Sequence, residues 1–220
     1  MKILIIADNV VPALWGTWSE YRENQLKDVE LILSAGDLPK DYLEFLVTMI
    51  NVPLLYVPGN HDTTYDERPP EGCVNIDGEV CEVPGVRVYG LGGSMRYKPG
   101  TNMYSESEMA RRVALLELKL QLGTVIGLDS RRRYFQSGKI NSGSKVTEIF
   151  LSHAPCRGHG DMDDLAHTGF ECFNGLLNRH RPDYHCYGHV HMEYGMFRRE
   201  SVHPSGTTLI NTSGMYMLEI

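Results

Sequence analysis

Four consecutive residues, Gly59-Asn60-His61-Asp62, place a tight turn, an amide oxygen, an imidazole and a carboxylate directly after the apolar run Leu54-Leu55-Tyr56-Val57. Glycine lets the chain bend sharply, so Asn60 can offer its carbonyl oxygen to a hard cation while His61 faces whatever that cation binds. Asp62 can then hold the imidazole in one tautomer. The same residues also suit an ordinary polar turn, so their meaning depends on what else the chain brings to that place. Two more imidazoles stand in Tyr184-His185-Cys186-Tyr187-Gly188-His189-Val190-His191, where His189 and His191 are two positions apart and fall on one side of an extended segment. Beside a glycine, that is metal-ligand spacing. His153 closes a further apolar run, Glu148-Ile149-Phe150-Leu151-Ser152, just before Ala154-Pro155.

The elements that must position these groups alternate along the first sixty residues: strands over Ile3–Ala7, Leu31–Ser34 and Leu54–Val57, with helical segments over Ser19–Lys27 and Asp41–Ile50 between them. That alternation predicts βαβ units and a parallel sheet. Each strand ends in a polar cluster, Asp8-Asn9, Gly36-Asp37 and Gly59-Asn60-His61-Asp62, and the ends of parallel strands gather at one edge. Asp8, Asp37 and Asn60 then form a set of oxygen donors, although Asp and Asn also cap helices, as Asp41 could. Between Thr63 and Asn102 the runs at 74–76, 79–83 and 87–91 predict antiparallel or mixed strands. Arg96, in the loop that follows, could grip a substrate phosphate in bidentate fashion or simply be solvated. Ser105-Glu106-Ser107-Glu108 is a capping box, and Met109, Val113, Leu116 and Leu120 give the helix behind it one apolar face toward the sheet. From Gly123 to Lys145 the sequence predicts a surface excursion in which Arg131-Arg132-Arg133 is a solvated charge run or an attractor of anions. His159 and His167, in the Gly- and Asp-rich loop after His153, could touch a substrate; His180, His185 and His203 read as structural or surface residues.

With 220 residues and 42% hydrophobic content, the chain is expected to form one domain spanning 1–220. Its formal net charge of −7 argues against a nucleic-acid duplex as partner and favours a bound cation. The apolar start Met1-Lys2-Ile3-Leu4-Ile5-Ile6 has the length of a strand, too short for a signal peptide or membrane span, so a cytoplasmic protein without membrane attachment is expected. Five cysteines without CxxC spacing, at 73, 81, 156, 172 and 186, fit reduced thiols.

Taken in order, Asp8, Gly36-Asp37, Gly59-Asn60-His61-Asp62, His153 and Gly188-His189-Val190-His191 resemble the motifs of the calcineurin-like metallophosphoesterase superfamily. The resemblance implies an α/β fold, a four-layer α/β/β/α sandwich with two mixed sheets. The strands between 74 and 91 and those near the C-terminus, Thr208-Leu209-Ile210 included, would belong to the second sheet. It further implies two divalent metal ions, Mn, Fe or Zn, with Asp37 bridging both, Asp8 and His191 on the first, and Asn60, His153 and His189 on the second. In that pattern a water shared by the metals attacks a small-molecule phosphate ester in line. His61 protonates or stabilises the leaving group and Asp62 orients it. The turn ending in Asp resembles the branch acting on phosphodiesters or small nucleotides; a phosphomonoesterase and a non-catalytic interaction module are the alternatives. One departure is plain: the family begins Asp-x-His, whereas Val10 stands here, so the first site is expected to be weak, its gap filled by water, Asn9 or an acid of the Trp15–Glu23 segment.

Overall fold

The computed structural model describes residues 1–15, 22–123, 146–194 and 198–220. Arg131-Arg132-Arg133 and the excursion expected over 124–145 lie outside the described residues, as does the first part of the helix expected over Ser19–Lys27. The described remainder of that helix is a wide helical turn at Arg22–Leu26.

Two mixed sheets form the body of the protein. The first is five-stranded: β1 (Lys2–Ala7) lies between β2 (Val29–Ser34) and the C-terminal β13 (Gly214–Glu219), and β2 is followed outward by β3 (Leu54–Tyr56) and β4 (Val74–Asn75). All its pairs are parallel except β1 with β13. The second is six-stranded, in the order β11 (Glu200–Val202), β12 (Thr208–Asn211), β10 (Tyr184–Tyr187), β9 (Thr147–Ser152), β6 (Val86–Leu91) and β5 (Val80–Val83). Its four central strands are parallel and its two outer pairs antiparallel. A short parallel pair, β7 (Ser94–Met95) with β8 (Met103–Tyr104), stands apart from both. The strand at 74–75 therefore belongs to the first sheet and not, as expected, to the second. Likewise, the last strand of the chain returns to the first sheet and pairs with the first strand.

Strand alternation builds three apolar cores. Ile3, Ile5 and Ala7 of β1 point inward with Leu31, Leu33 and Leu55, and meet Cys81, Val88, Ile149, Leu151, Cys186 and Ile210 of the second sheet. Leu4, Ile6, Ile32, Leu54 and Tyr56 point outward against α2 (Lys40–Ile50), which buries Tyr42, Leu43, Leu46 and Val47; Leu14 of α1 (Pro12–Trp15) joins them. On the far side, Tyr89, Phe150 and Leu209 meet α3 (Glu106–Leu122) and α4 (Glu171–His180) through Met109, Val113, Leu116, Phe173, Leu176 and Leu177. The layers are thus α/β/β/α. The capping box forms as the sequence predicts, Ser105 Oγ accepting from the Glu108 N–H and the Glu108 carboxylate from the Ser105 N–H, a device worth about 1 kcal/mol. Asp41 does not cap α2: Pro39 holds that position and no side chain bonds there.

Candidate metal centre

Strands β1, β2 and β3 run parallel in one sheet and β9 and β10 run parallel in the other, so each sheet delivers its strand ends as a set. The residues that follow these ends are held in an unusual backbone region. Asp8 has φ 63°, Asp37 φ 57° and His189 φ 67°, all in the left-handed region that costs a side-chain-bearing residue free energy and that clusters at functional sites. Two glycines make room for the convergence. A Cβ on Gly59 would lie 2.0 Å from Asp37 Oδ1, and one on Gly188 would lie 2.7 Å from the Ala7 Cβ and 3.0 Å from Asp8 Oδ1.

Backbone N–H groups of one strand end hold the side chains of another. Asp8 Oδ1 accepts from the His189 N–H at 2.8 Å, a bond that joins the two sheets. Asp37 Oδ1 accepts from the His61 N–H at 2.8 Å. His153 donates its Nδ1–H to the Ala35 carbonyl at 2.7 Å, and His189 donates its Nε2–H to the Ala166 carbonyl at 2.8 Å. A carbonyl can only accept, so these two bonds place a proton on His153 Nδ1 and on His189 Nε2, and the nitrogens that carry the lone pair in the neutral rings are His153 Nε2 and His189 Nδ1. His153 Nε2 lies 3.0 Å from Asn60 Oδ1 and 3.4 Å from Asp37 Oδ2. One ligand atom from each of Asp37, His153 and His189 lies within 4.8 Å of the others.

Groups able to ligate a cation therefore face one another at a buried point. Burial works against charge on His153, but the Asp37 carboxylate overrides it and pushes the imidazole up to about 9. The cluster thus draws positive charge to His153 Nε2, the place where a cation would supply it. Burial likewise opposes ionisation of Asp37, yet His153 beside it holds the carboxyl well below its usual range. Burial, followed by the nearby His153 charge, pushes His189 down to about 3 and keeps it a neutral donor of a lone pair. Asp8 is raised by burial, and its Oδ2 is buried without a hydrogen-bond partner, as is Asn60 Nδ2. Carboxylate, amide and imidazole groups of mixed N and O type, gathered where positive charge is drawn to His153 Nε2, fit a divalent cation.

Of the residues singled out from sequence, Asp37, Asn60, His153 and His189 come together in this cluster, and Asp8 joins it through the His189 backbone. His191 is half-buried in the turn after β10. The extended geometry expected of His189 and His191 is not what is found. Strand β10 ends at Tyr187, His189 is left-handed, and the Val190 N–H folds back onto the Gly188 carbonyl at 2.8 Å. His61 is exposed, its backbone tied to Asp37. Asp62 does not orient it: its Oδ2 accepts from the Gly59 N–H at 2.7 Å and from the Asp37 N–H at 2.8 Å, bracing the turn, while burial raises its carboxyl to about 6. Arg96 is engaged elsewhere, donating to the Met103 carbonyl and pairing with Glu108 at 2.8 Å, so its guanidinium ties the loop to α3. Asn9 and Val10 follow a backbone reversal at Ala7, and Val10 is 36% exposed.

Sequence reasoning passed over two supports. Asn102 Nδ2 donates to the Gly59 carbonyl at 3.2 Å and steadies the turn from a distant loop. Ala166 supplies the carbonyl that orients His189. The first carries no motif, and the second acts through its backbone, which no residue type announces.

A profile of the Metallophos family, described as calcineurin-like phosphoesterase, matches residues 1–193. Over 50 residues the chain is 42% identical to UPF0046 protein T07D4.2 of Caenorhabditis elegans, a stretch covering 22% of this chain and 13% of that protein's length. The fold superposes on that of TT1561 from Thermus thermophilus with a TM-score of 0.59 at 17% identity, covering 97% of this chain and 89% of that one. A second solved chain gives a TM-score of 0.62 at 13% identity, covering 99% and 94%. At these identities the likeness is one of fold.

Proposed function

We propose that this chain, which belongs to the calcineurin-like phosphoesterase family, is a single-domain, metal-dependent hydrolase of a small phosphate ester, of phosphodiester or nucleotide type. The observation that carries this reading is the meeting of Asp37 Oδ2, Asn60 Oδ1 and His153 Nε2 at one buried point beside the His189 ring. Asp37, Asn60, His153 and His189 would hold one divalent cation, and Asp8, Asp37 and His191 a second, with Asp37 shared. Such cations, when bound, neutralise charge on the phosphoryl oxygens and acidify water.

The chain's own residues supply the rest. Asp37 is held ionised and fixed by the His61 N–H, so its position does not depend on the ligand it binds. His61, exposed at the turn, would give a proton to the leaving oxygen. Asp62 locks Gly59 and Asp37 in register rather than acting on His61. No described helix is long and apolar enough to cross a membrane.

A second reading rests on Val10, which takes the place of an expected imidazole at the first site: a member of the fold that binds metal and partners without turnover. Hydrolysis of bis(4-nitrophenyl) phosphate with added Mn²⁺, beside 4-nitrophenyl phosphate, separates the readings. Turnover of the diester above that of the monoester is expected. Absence of turnover of both, in a protein that binds Mn²⁺, would give the second reading precedence.

A further inference from the structure

The loop between β9 and α4 is built onto the metal centre by two carboxylates that do not reach it. Asp161 closes the loop at its base, Oδ1 accepting from the Gly158 N–H at 2.8 Å and Oδ2 from the Gly169 N–H at 3.0 Å. Asp164 shapes the tip. Its Oδ1 accepts from the Ala166 N–H at 2.9 Å and from the His167 N–H at 3.0 Å, and its carbonyl accepts from Thr168 Oγ1 at 2.7 Å. Both carboxylate oxygens also take the His167 Nδ1–H, at 2.9 and 3.0 Å, which sets that ring 5.3 Å from the His189 ring.

The peptide group between Ala166 and His167 sits in the middle of this arrangement. Its N–H end points to the Asp164 carboxylate, and its C=O end accepts the Nε2–H of His189 at 2.8 Å. Trans peptide geometry sets the two ends in opposite directions, so the three groups lie in series: carboxylate, peptide, imidazole. Hydrogen bonds in series polarise one another, and a ligating histidine whose other ring N–H is held by an acceptor is fixed in orientation and made a better donor.

We infer that Asp164 is a positioning residue for the second metal, acting on His189 through one peptide group. It sets which nitrogen of His189 bears the proton and where the Nδ1 lone pair points, without touching metal or substrate. The inference rests on the metal reading given above.

The test uses the full chain, freed of metal and titrated calorimetrically with Mn²⁺ alone, together with nitrogen NMR of the histidine rings in the metal-free protein. Asp164→Asn keeps a side-chain oxygen for the two N–H groups but removes the charge; Asp164→Ala removes the hold altogether. The tighter Mn²⁺ phase should weaken by about 10-fold in the first and up to about 100-fold in the second. In the wild type the His189 signals should report Nε2–H alone, and in Asp164→Ala a mixture of tautomers. Asp163→Asn, at an exposed neighbour, should change neither. Wild-type affinity and a single Nε2–H tautomer in Asp164→Ala would overturn the inference and leave the metal reading standing. A wild type that binds no Mn²⁺ would sink both, and the two failures are therefore distinguishable. If Asp164→Ala fails to fold, the Asn variant decides: unchanged affinity there refutes the role of the charge.

Discussion

Replacing Asp62 separates two roles that the residue could have. Its Oδ2 accepts two backbone N–H bonds, from Gly59 at 2.7 Å and Asp37 at 2.8 Å. A hydrogen bond to a charged group contributes about 1.5–3 kcal/mol, so two amount to about 3–6 kcal/mol, and Asp62→Ala would in addition leave a buried N–H at Gly59 without a partner. Against a total stability of about 5–15 kcal/mol the loss is large, and at about 2–4 °C per kcal/mol it lowers the melting temperature by about 6–24 °C. Asp62→Asn retains an oxygen that can accept both bonds and sheds a charge that burial disfavours, so it should cost much less than Asp62→Ala. The assay is thermal and urea unfolding in excess chelator, so that bound metal does not mask the change. Diester hydrolysis is then measured on the metal-loaded variants. A brace predicts that stability falls strongly in Asp62→Ala and that Asp62→Asn, once folded and loaded, keeps most of its rate. If Asp62→Asn melted with the wild type yet lost its rate by about 10²-fold or more, Asp62 would be acting on His61, as the sequence suggests, and the bracing argument would be wrong.

Asp37→Asn should release both metals and abolish hydrolysis, because a neutral amide cannot bridge two dications; two retained ions, counted by elemental analysis, would defeat the assignment. His61→Ala should keep its metal content and lose about 10²–10⁴-fold in maximal rate, the usual worth of a general acid, whereas loss of metal would make His61 a ligand. Mn²⁺ titration should show a tight and a loose phase in the native chain; two equally tight phases would mean that another residue already completes the first site. Acid stability should track His185. Burial pushes this ring down to about 3 from an ordinary 6.5, and its Nε2–H bonds Ser152 Oγ at 2.7 Å while Nδ1 is buried without a partner. The unfolded chain thus takes up the proton first as pH falls. Its contribution is complete above pH 6.5 and is lost toward pH 3 at up to about 1.4 kcal/mol per pH unit. Urea midpoints at about pH 7 and about pH 4.5 should therefore differ less in His185→Phe than in the wild type, and equal differences would refute the attribution.

A parallel α/β sheet was legible because strands buried on both faces read as short apolar runs, each ending in a polar cluster, whereas the four layers were implied only by the family resemblance. Ile3–Ala7, Leu31–Ser34 and Leu54–Val57 needed no more than that, and the helix after Ser105 announced itself by its cap and its spacing. Pairing was less legible. Nothing in Val74-Asn75 distinguishes a partner in the first sheet from one in the second, and the return of Gly214–Glu219 beside β1 depends on contacts made across the whole chain. The candidate donors were legible as residue types, but their geometry was not. Alternation along an extended strand predicted the relation of His189 to His191, whereas His189 is left-handed and its strand has already ended.

That failure has a physical cause which also explains why the donors occur in short contiguous motifs. A carboxylate that must stay fixed in the absence of its ligand needs donors of its own, and here the backbone of neighbouring motifs provides them. The N–H of His189 holds Asp8, that of His61 holds Asp37, and those of Gly59 and Asp37 hold Asp62. Each motif thus gives a side chain to the centre and a backbone group to another motif, and left-handed φ angles fall among the residues that do both. Sequence displays only the first contribution. The bond from the His189 N–H to Asp8 spans residues 181 positions apart and links one sheet to the other, so the geometry of the centre depends on the packing of the two sheets as a whole. Substitutions in the inner core, at Ile5 or Leu151, should on this argument loosen metal before they unfold the chain, because a shift of one sheet against the other reaches the site through that bond.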